Sequence, residues 1–166
     1  MQIDGLTGFH DIEMPTPSFD ERWKALTCKG NEARDRGNFQ AANELYALAY
    51  HEARMMFAAA WNGQAELADA SVPMMIVSAG NAARNWESAG RADMGFNQLT
   101  AGARIFIQAL KSRSAHTALK GAVCQGFSRL LNEIEERRAT FPKVSGALIE
   151  EASEAVLSYI EPTSWQ

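Results

Sequence analysis

Residues 29–49 read KGNEARDRGNFQAANELYALA, and their small residues decide the fold. Gly30, Gly37, Ala42 and Ala49 stand among charged and aromatic neighbours at helical intervals. Gly37–Asn38 is the natural break, because glycine tolerates the left-handed conformation that closes a helix. Upstream, Phe19, Trp23, Leu26 and Ala33 form a helical stripe. Ser18 and Glu21 supply a capping box at its start. Downstream, Asn38 caps a second helix running from Phe39 to about Trp61, with Ala42, Leu45, Tyr46, Ala49 and Ala53 repeating at three and four. A two-residue link makes these helices an antiparallel hairpin. Such helices approach to about 8–10 Å only where small side chains meet.

The rest of the chain continues in this manner. Ser71–Pro73 opens a third helix with proline in its first turn, and that helix stops at Gly90. A fourth begins at Arg91, a fifth runs from about 115 to Thr140 and is broken by Pro142, and a sixth ends before Pro162. Short links imply three hairpins in an all-α domain over residues 18–161, with tails at 1–17 and 162–166. Abundant alanine and sparse β-branched residues agree with helix.

Setting Gly90 on Gly37 repeats the pattern. Asn31 then meets Arg84, Ala42 meets Gly95, Tyr46 meets Leu99 and Ala49 meets Gly102. In Leu26, Gly30, Gly37, Phe39, Ala42, Tyr46 and Ala49 the chain resembles the tetratricopeptide repeat (TPR). Trp86, Gly90, Gly95, Leu99 and Gly102 follow the same pattern less closely, and the segment from about 115 only in outline. The regular repeat is about 34 residues, whereas these turn glycines lie 53 apart. More loosely, the chain is similar to a small bacterial family with such hairpins, which implies no function. The TPR resemblance implies a short α–α superhelix that binds a peptide or protein segment on its concave face, without catalysis. One TPR variant grips a terminal carboxylate with Asn and Lys. Asn31, Asn81 and Lys120 stand at its positions, but Thr27 replaces its first Lys.

The residues themselves place Asn81, Arg84 and Asn85 on one helix at spacings of three and four, either lining a groove or facing solvent. A net charge of −4 disfavours nucleic acid as a main partner. Residues 103–143 nevertheless carry eight basic side chains against three acidic ones, either as ordinary solvated helix faces or as a wall for an acidic peptide. His10, His51 and His116 are scattered, and no metal or cofactor motif, nucleophile elbow or phosphate loop occurs. The chain is therefore not expected to be an enzyme. Cys28 and Cys124, far apart, are expected as free, partly buried thiols. The start lacks the basic and apolar regions of a secretory signal, and no run is long and apolar enough to span a bilayer. These features point to a cytoplasmic protein. A second reading is a structural or assembly protein acting as a homodimer through an edge helix, whose stripe of Leu148, Ala152, Ala155, Val156 and Tyr159 suits capping the stack or pairing.

Overall fold

A computed structural model describes residues 18–161. The expected tails, 1–17 and 162–166, lie outside the described residues, as does His10. Among the described residues the chain is all-helical: α1 (Phe19–Asp35), α2 (Phe39–Trp61), α3 (Ala68–Ser88), α4 (Ala92–Lys111), α5 (Thr117–Glu135) and α6 (Pro142–Ile160), with one 3₁₀ turn at Ala65–Leu67.

Local chemistry sets most of the boundaries. The Ser18 hydroxyl accepts from the Glu21 amide, and the Glu21 carboxylate accepts from the Ser18 amide at 2.8 Å. Asn38 caps α2 by accepting from the Ala41 amide. Helices α1, α2 and α3 end on Gly37, Gly63 and Gly90, each at positive φ. All three use the same closure. The glycine amide reaches back to the carbonyl three residues earlier, and the next amide reaches five back, as Asn38 does to Ala33 at 2.9 Å.

Glycines mark close approaches between paired helices. Gly30 of α1 lies against the Tyr46 ring of α2, and Gly95 of α4 lies against Ala83 of α3. A Cβ at Gly30 would stand 2.7 Å from Tyr46, and one at Gly95 would stand 2.7 Å from the Ala83 carbonyl oxygen. Small residues therefore sit where each helix presses on its partner. Three rings then bind the layers into one core: Phe106 of α4 stacks on Phe57 of α2 at 5.6 Å and meets Phe127 of α5 edge-on at 5.4 Å.

Three expectations need correction. Pro73 does not start α3, which begins five residues earlier at Ala68. Proline inside the helix gives no N–H to the carbonyl of Asp69, one turn back. The fifth helix does not reach Thr140. It stops at Glu135, and Pro142 opens α6 rather than breaking α5. The resulting connection is longer than a tight hairpin turn, and α6 packs more on α4 than on α5. Phe141 anchors this connection by stacking on Phe96 at 4.2 Å. Cys28 is exposed, although Cys124 is half-buried as expected, and burial raises the pKa of that thiol.

The Leu148, Ala152 and Ala155 stripe of α6 is buried in the chain's own core. Of the paired methionines, Met56, Met74 and Met75 are also core, and only Met55 is exposed. Four buried polar atoms lack a hydrogen-bond partner among the described residues: Thr27 Oγ1, Tyr50 Oη, Asn85 Oδ1 and Ser145 Oγ. An unmade bond of this kind costs about 1–3 kcal/mol. Tyr50→Phe should therefore raise the urea-unfolding free energy by about 1 kcal/mol; a drop would show that the hydroxyl is bonded.

Candidate functional site

Helices α3 and α5 run parallel, as the rising order of their contacts shows. Gly126 packs on Val72 and Ile76, Glu133 pairs with Arg84, and Arg137 pairs with Glu87. A Cβ at Gly126 would stand 2.8 Å from Val72 Cγ1, so the missing side chain lets the helices close there. The seam is open at one end and locked at the other.

The open end is a cleft of about 370 Å³. Val72 and Ala122 are buried beneath it, while Asp69, Pro73, Gln125 and Arg129 form its exposed walls. Neither Asp69 nor Arg129 has an ion-pair partner among the described residues. Pro73 leaves the Asp69 carbonyl without its usual helical donor, and both residues line the cleft. Apolar floor, amide, acid and base thus stand within one depression.

The locked end is a network of four charges. Arg84 donates to Glu133 at 2.8 Å and to Asn81 Oδ1 at 3.1 Å. Arg137 grips both carboxylate oxygens of Glu87 and also reaches Glu133. Burial opposes the charge on Arg137, but the Glu87 and Glu133 carboxylates outweigh it and raise its pKa. Gly80 makes room for the lock: a Cβ there would meet the Arg84 guanidinium at 3.2 Å.

The end of α1 borders this network. Asn31 Oδ1 accepts from Tyr46 Oη at 2.7 Å. Burial raises the Tyr46 pKa, and the positive charges of Arg34 and Arg84 oppose that rise. Asn81 and Arg84 are hydrogen-bonded neighbours on α3, and Asn31 of α1 is tied to Tyr46, whose hydroxyl feels the Arg84 charge.

Asn85 is fully buried and faces α2, donating to the Phe39 carbonyl at 2.9 Å and to Asn43 Oδ1 at 2.6 Å. Spacings of three and four still spread side chains over about 100° of helix face, and Asn85 falls in the seam with α2. Lys120 lies in the first turn of α5, thirteen residues before Glu133. At 1.5 Å per residue it stands about 20 Å along the helix from the lock, so the three residues of the clamp pattern do not converge. Sequence reasoning missed the cleft residues Asp69 and Gln125, and met Arg129 only as one of the eight basic residues of 103–143 weighed as a wall for an acidic peptide. Their signal was the run Ala122, Gly126, Arg129, Glu133 at three and four, a single face centred on a glycine.

Glu52 pairs with Arg22 at 2.9 Å. Among the described residues no group of three His, Cys, Asp or Glu side chains stands together as a metal site. None of their helices is long and apolar enough to cross a membrane.

No curated protein and no solved structure matches the chain. Residues 21–143 do match a protein family, described as protein of unknown function (DUF2753). The match runs from the first turn of α1 to the first turn of α6, most of the sequence. The chain therefore belongs to the DUF2753 family.

Proposed function

We propose that the chain is a non-catalytic, TPR-like interaction module of the cytoplasm. Its helices stack as three hairpins in a short superhelix, and a peptide or protein segment docks along the α3–α5 face. The cleft beside Gly126 carries this reading. It offers an extended segment an apolar floor, the Gln125 amide, one acid and one base, with Asn81 and Arg84 further along the same helices. Asn31 borders this path from α1. Lys120, in the first turn of α5, does not line the cleft and makes no clamp with Asn31 and Asn81.

A peptide-display selection tests the assignment. Selected peptides should bind at least tenfold more weakly to Arg129→Glu, and more weakly to Asn81→Ala, because the first reverses an unpaired charge at the cleft. Peptides that bind both variants like the parent would place the docking surface elsewhere.

The exposed Leu157 and Ile160 of α6 favour a second reading, a homodimer through this edge helix. Sedimentation at micromolar concentration separates the two: a dimer dispersed by Leu157→Glu supports pairing, and a monomer removes it.

A further inference from the structure

A second depression, of about 210 Å³, lies between α2 and α4 and shares no residue with the α3–α5 cleft. Phe57, Trp61, Met75 and Ile105 give it apolar walls, and Arg54 and Gln108 stand on it as polar groups. Its walls are held in place. Phe57 is stacked on Phe106 and tilted against Trp61 at 6.2 Å, and the Trp61 indole N–H donates to Ser114 at 3.3 Å. Met75 is fully buried beneath. Arg54 is exposed and has no carboxylate partner among the described residues.

Size and chemistry narrow the occupant. Drug-sized sites span about 300–1,000 Å³, so this pocket suits a group the size of one side chain and not a nucleotide. It contains no acid, histidine or cysteine, and so no metal-ligand set. An aromatic or branched apolar body fits against Phe57, Trp61 and Ile105. An anionic end then meets Arg54, whose planar guanidinium pairs with both oxygens of a carboxylate. We propose that this pocket binds a small apolar carboxylic acid, with its body between α2 and α4 and its carboxylate at the rim on Arg54 and Gln108. The carboxylate stays near solvent there, so its desolvation is small.

The test is an NMR titration of the full chain with phenylacetate, following the Trp61 indole N–H and the Ile105 methyls. A ligand this small should saturate with a Kd of about a millimolar. Phenylacetamide, which lacks the charge, should bind at least tenfold more weakly. Arg54→Gln should have the same effect on phenylacetate, and it breaks no ion pair of the fold. Ala58→Phe, an exposed position on the pocket wall, should abolish the saturable response while leaving the rest of the spectrum in place. The proposal fails if phenylacetate gives no saturable shift, if the amide binds as well, or if Arg54→Gln leaves the affinity unchanged.

Discussion

Gly95→Val should lower the unfolding free energy by about 3 kcal/mol, the upper end of what overpacking usually costs. The cause is backbone against backbone. A Cβ at Gly95 would lie 2.7 Å from the Ala83 carbonyl oxygen, 3.1 Å from its Cα and 3.2 Å from its carbonyl carbon. No rotamer change relieves that contact, so α4 must move off α3. Gly30 differs, because its near neighbour is the Tyr46 ring. Tyr46 can swing at the expense of its bond to Asn31, so Gly30→Ala should cost less than Gly95→Ala. Urea unfolding measures both. For a chain of this size 1 kcal/mol corresponds to about 2–4 °C, so Gly95→Val should melt roughly 6–12 °C below the parent. An unchanged melting point would mean that α3 and α4 are not pressed together at Gly95.

That contact also shows what was legible in the sequence. Gly30, Gly37 and Gly90 were readable because each answers a local demand, a close approach or a left-handed turn. The caps at Ser18 and Asn38 were readable for the same reason: donor and acceptor lie three residues apart. Pro73 was misread because the preference of proline for a first turn is a local rule. Here the buried Ala68, Ser71 and Val72 extend α3 back past it. Asn85 was misplaced because spacing fixes which residues are near one another on a helix, but not which neighbour covers them. Lys120 shares a pattern with Asn31 and Asn81 without sharing their place, because its distance along α5 depends on how α5 sits against α3. Cleft and lock both arise from pairing α3 with α5, and residues some fifty positions apart carry no short-range signal of that pairing.

The lock makes the second large prediction, because it holds the two helices that frame the cleft. Arg137 lies past the end of α5, yet only 13% of its side chain is exposed, against 32% for Glu87. Exposed pairs contribute about 0–1 kcal/mol, whereas breaking a buried pair costs about 3–5 kcal/mol. This pair lies between those limits and is bidentate, so Arg137→Ala should cost about 2–3 kcal/mol. Arg137→Lys keeps the charge but not the two parallel bonds, and should lose about half of that. Adding Glu87→Gln to Arg137→Ala should restore part of the loss by removing a carboxylate left without its partner. The functional consequence separates a lock from a surface ion pair. If it sets the spacing of α3 and α5, Arg137→Ala weakens binding of a cleft-selected peptide although Arg137 does not line the cleft, and leaves phenylacetate binding between α2 and α4 unchanged. Arg129→Glu should instead weaken the peptide with no loss of stability, since Arg129 has no ion pair to break. If Arg137→Ala proves as stable as the parent and binds peptide as tightly, the network is a surface ornament, and Gly126 with its contact on Val72 alone sets the width of the cleft.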